Sequence, residues 1–148
     1  MNSKLIGGLR TIPMFLVMGT LYFLSDQPGD TLYLPQVVGI DKLAHAVAYG
    51  VLAATIIFAL GGENKERFWG VVIFTPLACL LYGISDEFHQ SFVPGRMPSS
   101  GDILADACGS LIVSLLWVAW ETKRRSSRGR RPGLFSPVHK QRTSGGGL

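Results

Sequence analysis

The stretch that decides the fold is "LAHAVAYGVLAATIIFAL", residues 43–60, which contains no Asp, Glu, Lys or Arg. A helix needs about 20 mostly apolar residues to cross the hydrocarbon core of a membrane, so this run predicts a short transmembrane helix. Three further apolar runs occupy residues 9–24, 68–85 and 103–120. Glycine and proline residues fall between the runs, where helices are expected to end. The four runs together predict an all-α integral membrane bundle of four transmembrane helices.

The composition excludes an ordinary soluble domain, because 47% of the 148 residues are hydrophobic and the mean hydropathy is +0.30. The formal charge of +4 comes from the C-terminal end, where eight of the fourteen Lys and Arg residues follow Glu121. We therefore predict a membrane domain over residues 1–121 and a basic, disordered cytoplasmic tail over residues 122–148. The tail lacks interleaved aromatic residues, so no nucleic-acid partner is predicted. Cys79 and Cys108 lie in apolar runs and indicate no disulfide framework.

The distribution of Lys and Arg predicts the orientation of the bundle. Twelve of them lie before or at the start of the first run, between the second and third runs, or after the fourth run. The two opposite connections contain only Lys42 and Arg96. Because cytoplasmic segments are enriched in Lys and Arg, both termini are predicted to be cytoplasmic. The predicted location is the cell membrane, inner or plasma, in which the chain is a multi-pass protein.

Polar residues recur on three of the predicted helices, at the ends that this orientation places outside. Asp41, His45 and Tyr49 follow an i, i+4, i+8 spacing, which puts them on one face of a helix. Asp102 and Asp106 have the same spacing at the start of the fourth run. Charged groups in a membrane are costly unless they are paired or hydrated, so these faces are predicted to converge on a pocket inside the bundle. The predicted ligand-binding residues are Asp41, Lys42, His45, Tyr49, Asp86, Glu87, His89, Gln90, Arg96, Asp102 and Asp106.

The residue types indicate what such a pocket binds. Five acids outnumber Lys42 and Arg96, so the pocket is net negative and suits a cation or a charged headgroup. The stiff turn "VPGRMP", residues 93–98, is predicted to fold Arg96 over the pocket, where a guanidinium suits phosphate or carboxylate. The candidate catalytic residues are His45, Glu87 and Asp106. A divalent metal on His45, Glu87 and Asp106 is a variant of the enzymatic interpretation, since the residue types suit Zn, Mn or Mg. No local metal-binding spacing such as HExxH supports it, so no metal site is predicted, and the cofactor and the oligomeric state stay undetermined.

Two segments resemble a known family: "DKLAHAVAYGVLA", residues 41–53, and "DEFHQSFVPGRMPSSGDILADACGS", residues 86–110. They contain D-K-x-x-H-x-x-x-Y, then E-x-x-Q, P-G-R, an acid and a small-residue glycine turn. This order and spacing are similar to the signature of the VanZ-like family of small multi-span membrane proteins. Asp106 departs from the family pattern, which commonly has Asn there. The resemblance implies a cell-envelope role connected with glycopeptide or lipopeptide tolerance of the teicoplanin type.

Three functions follow from these patterns. The first is an envelope protein that binds a lipid headgroup or a lipid-linked cell-wall precursor, with membrane lipids as partners. The second is a membrane enzyme that acts on a phosphorylated or glycosylated lipid through Glu87, His45 and Arg96. The third is a transporter or proton relay, which is less favoured because the polar faces fade toward the predicted cytoplasmic half.

Overall fold

The computed structural model describes residues 3–29, 38–60 and 65–129. Within these ranges the chain forms four helices and no strand: α1 (Ser3–Ser25), α2 (Ile40–Leu60), α3 (Lys65–Gln90) and α4 (Ser100–Gly129). All four are long and apolar enough to cross a membrane. The shortest, α2, has 21 residues, which is about 31 Å at 1.5 Å per residue. The predicted all-α bundle of four transmembrane helices is confirmed, and the chain is a multi-pass membrane protein.

The helices are longer than the apolar runs that predicted them. The third run ends at residue 85, but α3 continues to Gln90, and α4 begins at Ser100 rather than at residue 103. Polar residues at the end of a span stay helical because the helix satisfies their backbone hydrogen bonds. The hydroxyl of Ser99 accepts the backbone N–H of Gly101 at 3.1 Å and so caps the start of α4.

The boundary between the membrane domain and the tail, predicted at residue 121, falls inside a helix. α4 continues to Gly129, so the first residues of the predicted tail are helical. Residues 130–148, the rest of that predicted tail, lie outside the described residues.

Side-chain and backbone contacts fix the arrangement of the four helices. α2 contacts the other three and packs most extensively against α4, whereas α1 contacts only α2 and α3. A contact of 3.2 Å between His89 and Asp26 joins the ends of α3 and α1, and an ion pair between Lys42 and Asp102 joins the starts of α2 and α4. Helices α1 and α3 therefore run in one direction and α2 and α4 in the other. The level at which these four ends meet is called the polar end below.

Two glycines bring α2, α3 and α4 close together near the polar end. A Cβ on Gly109 of α4 would collide with the backbone carbonyl of Ala46 of α2, so this contact tolerates no side chain on Gly109. A Cβ on Gly83 of α3 would lie 2.8 Å from Oδ2 of Asp106. Small residues let helix backbones approach within a membrane, where the hydrophobic effect does not drive helices together. The close approach allows polar side chains of different helices to reach one another.

The apolar core surrounds α2. It contains Tyr49, Leu52, Ala53 and Ile56 of α2 together with Cys79 of α3. The outward faces are strongly apolar as well: Phe15 and Leu16 of α1 are 62% and 66% exposed. Such exposure is expected of side chains that face lipid tails, which are as apolar as a protein core.

Candidate functional site

The deepest polar contact at the polar end joins His45 of α2 to Asp106 of α4. Nδ1 of His45 lies 3.0 Å from Oδ1 of Asp106, whose exposed fraction is 0%. A carboxylate at Nδ1 favours the imidazole tautomer with the proton on that nitrogen, which leaves Nε2 with a free lone pair. Oδ2 of Asp106 is buried and has no hydrogen-bond partner. Asp106 therefore orients His45 through Oδ1, while its Oδ2 can still accept a hydrogen bond.

Two further carboxylates, those of Glu87 and Asp102, approach the same histidine. One oxygen of each and a ring nitrogen of His45 all lie within 4.8 Å of one another. Glu87 is 4% exposed; its Oε2 accepts the backbone N–H of Ser99 at 2.8 Å, whereas its Oε1 has no partner. His45, Glu87, Asp102 and Asp106 are called the carboxylate–histidine cluster below.

Lys42 is the cation next to this cluster. Its ammonium nitrogen lies 2.6 Å from Oδ1 of Asp102 and 2.7 Å from Oδ2 of Asp41. The cluster contains three carboxylates, so together with Lys42 it has a formal charge of −2 when His45 is neutral. Asp41, the other partner of Lys42, lies outside the cluster and is exposed. The predicted excess of negative charge is therefore concentrated in a few contacts.

The turn after α3 directs Arg96 toward α1. A backbone hydrogen bond of 3.2 Å closes the turn from Val93 to Arg96, and Gly95 within it has a φ of +76°, as a type II turn requires. Nη2 of Arg96 donates to the carbonyl of Leu24 at 2.7 Å, and Nε donates to that of Gln27 at 3.0 Å. Carbonyls at the end of a helix have no partner within the helix. The guanidinium thus caps α1.

His89 lies at the edge of the site. Its Nε2 is 3.2 Å from Oδ1 of Asp26, and its ring stacks on Tyr22 with 4.8 Å between the ring centroids. These contacts join α3 to α1. His89 does not belong to the carboxylate–histidine cluster.

A cavity of about 440 Å³ lies at the polar end, between the helices and the turn that contains Arg96. Leu21 and Leu24 of α1 and Ala44 and Ala48 of α2 form its apolar walls. Seven predicted ligand-binding residues line it: Asp41, His45, Tyr49, Asp86, Gln90, Arg96 and Asp102. Lys42, Glu87 and Asp106 do not line the cavity but contact or closely approach residues that do.

The contribution of α1 to the site was not predicted. This helix supplies apolar side chains, backbone carbonyls and the single hydroxyl of Ser25, which form no recurring polar pattern in the sequence. The signal that was available is Arg96 itself, because a guanidinium near a helix end often binds the last carbonyls.

The fold and the site define a class of small four-helix membrane proteins with a buried carboxylate–histidine cluster beside a cavity. The family model described as VanZ/LLP1 matches residues 4–121, and the chain belongs to this family. The match includes both segments on which the VanZ-like resemblance rests, so that resemblance is confirmed. No curated protein and no solved structure matches the chain.

Proposed function

We propose that this cell-envelope protein binds a lipid headgroup, of a free lipid or of a lipid-linked cell-wall precursor, and supports tolerance to teicoplanin-type glycopeptides. The observation that carries the proposal is the cavity of about 440 Å³ with both apolar and ionisable walls. Binding sites for small molecules combine apolar walls with a few polar groups that fix orientation. Membership of the VanZ/LLP1 family is consistent with a membrane protein linked to glycopeptide resistance.

The charged residues of the cavity suit the groups of a headgroup. Asp41 and Asp86 offer carboxylate oxygens to amines or hydroxyls. Arg96 has five N–H donors, of which those on Nε and Nη2 bond to carbonyls of α1. The same side chain lines the cavity, so its other donors suit an anionic phosphate oxygen.

Filling the cavity tests this proposal. Ala44 lines the cavity and is exposed to it, so Ala44→Phe places a ring in the proposed headgroup site. If a steric conflict between this ring and the headgroup costs about 1–3 kcal/mol, as is typical of overpacking, it corresponds to a roughly 5- to 150-fold loss of affinity. We expect the purified variant to retain correspondingly less lipid, as counted by native mass spectrometry of the protein released from detergent. Teicoplanin tolerance of cells that express the variant is expected to fall in parallel.

Val47→Phe is the matched control, because Val47 lies on the same helix, is 59% exposed and does not line the cavity. It adds the same ring to an outward face and is expected to leave lipid retention and tolerance unchanged. Equal lipid retention by wild type and Ala44→Phe would contradict the proposed site.

We place the polar end outside the cell membrane and both termini in the cytoplasm. The support is the excess of Lys and Arg, twelve against two, in the segments at the opposite end. In a variant with Cys79→Ser and Cys108→Ser, a single cysteine at Met97 is expected to react with a membrane-impermeant maleimide in intact cells. A cysteine at Ser126 is expected to react only after permeabilisation. The reverse pattern would move the cavity to the cytoplasmic side.

A second candidate function is a membrane enzyme that acts on the bound lipid. The observation that favours it is the 3.0 Å contact between His45 and Asp106, since a carboxylate that fixes a histidine tautomer prepares the other nitrogen for proton transfer. If the wild-type protein converts the co-purified lipid during incubation and His45→Ala does not, the enzymatic function is supported. An unchanged lipid would select the binding protein.

A further inference from the structure

The carboxylate–histidine cluster has the composition of a metal centre, and we propose that His45, Glu87 and Asp102 bind one first-row divalent transition metal ion. These residues come from α2, α3 and α4, and each offers one ligand atom within 4.8 Å of the others. Imidazole and carboxylate groups are the nitrogen and oxygen ligands of such ions. This site goes beyond the proposed lipid binding and does not depend on it.

Glu87 gives the independent indication that something binds here. It is 4% exposed, and its Oε1 has no hydrogen-bond partner although Oε2 accepts a bond from Ser99. Leaving a buried acceptor unsatisfied costs about 1–3 kcal/mol, and more for a charged group. An oxygen of Glu87 lies within 4.8 Å of ligand atoms of both His45 and Asp102, so a cation bound among the three is a partner within reach of this carboxylate.

In this proposal Asp106 does not bind the ion itself but holds the ligand His45 in position. Histidines that bind metal ions almost always donate their other ring N–H to a carboxylate or carbonyl, which fixes the tautomer and the ring orientation. The 3.0 Å contact from Nδ1 of His45 to the fully buried Asp106 is such an arrangement. It leaves Nε2 as the free nitrogen for the ion.

The charge of the cluster matches a divalent cation. With Lys42 included and His45 neutral, the three carboxylates of the cluster, each at most 7% exposed, leave a formal charge of −2. Unpaired buried charges are strongly destabilising. One divalent ion neutralises the cluster while Lys42 keeps its contacts with Asp41 and Asp102.

The separations between the three ligand atoms are close to those expected around a bound metal ion. With bonds of 2.0–2.2 Å, a tetrahedral ion places its ligand atoms about 3.4 Å apart. Ligand atoms that are at most 4.8 Å apart therefore need to approach one another by at most about 1.4 Å. Three protein ligands leave a coordination position free, and His45 and Asp102 both line the cavity, so that position faces the cavity.

The test measures metal binding directly on the full chain in detergent. Protein stripped with EDTA is titrated with Zn²⁺ by calorimetry, and with Mn²⁺ by electron paramagnetic resonance. We expect one ion per chain. Glu87→Gln removes a ligand and is expected to lower the affinity by more than about 100-fold, whereas Asp106→Asn removes outer support and is expected to lower it by about 10- to 100-fold.

Glu121→Gln is the matched control, since Glu121 is a buried glutamate, 1% exposed, that pairs with Arg124 and Arg125 at the opposite end of the bundle. We expect the metal affinity of Glu121→Gln to stay within about twofold of the wild type, because mutations at distant sites usually act independently of one another. Asp102→Asn is a second ligand variant in case Glu87→Gln does not yield monodisperse protein. A wild type that binds no ion, or ligand variants that bind as tightly as Glu121→Gln, overturns the proposal. Intact metal binding without lipid retention overturns the proposed function alone.

Discussion

Gly109→Leu is expected to lower the free energy of unfolding by about 3 kcal/mol or more, at the upper end of the cost of overpacking. Even the first carbon of a side chain at Gly109 would collide with the carbonyl of Ala46. The obstacle is backbone, which cannot rotate away, so α2 and α4 must separate. The measurement is the thermal unfolding midpoint in detergent, with denaturant titration to convert it into free energy.

The separation of α2 and α4 has a consequence for the site. His45 and Asp106 lie on these two helices, and their 3.0 Å contact depends on the close approach at Gly109. We therefore expect Gly109→Leu to lose lipid retention as well as stability. Gly19→Leu is the control, because a Cβ on Gly19 of α1 meets nothing within 4 Å. If the two variants unfolded at the same temperature, the close contact would not be holding the bundle together.

Much of this fold could be predicted from hydropathy alone. The apolar runs predicted four spans because a membrane interior leaves a helix few alternatives: every backbone polar group must find a partner within the segment. The helix ends were predicted too short, since residues such as Asp86 and Gln90 are polar and yet remain helical. Polarity marks where lipid ends, whereas helix length depends on backbone hydrogen bonds and caps.

The candidate site could be predicted only in part. The spacing of Asp41, His45 and Tyr49 correctly placed them on one face, and all three line the cavity. Helical spacing does not tell which residue of a neighbouring helix lies opposite. The contact of His45 with Asp106, 61 positions away, therefore needed the packing of α2 on α4. The same limit explains why no metal-binding spacing was found: each of the three proposed ligands lies on a different helix.

Arg96 shows the limit most clearly: its residue type predicted a site for hydrogen-bond acceptors, but the sequence did not indicate which acceptors it binds. A guanidinium at a stiff turn predicted a clamp for a phosphate or carboxylate. The structure shows it bonded to the carbonyls of Leu24 and Gln27. Those acceptors belong to the backbone, and backbone carbonyls look the same at every position of a sequence.

Arg96→Lys is expected to release the end of α1 while leaving α2 to α4 folded. Lysine keeps the charge but cannot donate to two carbonyls with one planar group. Hydrogen bonds from charged groups contribute about 1.5–3 kcal/mol, so loss of one raises local opening by roughly 10- to 150-fold. The measurement is hydrogen exchange of the amides of Asp26 and Gln27, which bond to the carbonyls of Tyr22 and Leu24.

Arg10→Lys is the matched control for this variant. Arg10 lies at the other end of α1, with its guanidinium 5.0 Å from the ring centroid of Phe58, a contact that a lysine ammonium also makes. It is expected to leave the exchange of Asp26 and Gln27 unchanged. Because Leu21 and Leu24 form one wall of the cavity, release of this end is also expected to lower lipid retention in Arg96→Lys. Faster exchange together with lipid loss identifies Arg96 as the residue that positions the α1 wall. Lipid loss with unchanged exchange would instead show that Arg96 acts on the headgroup directly.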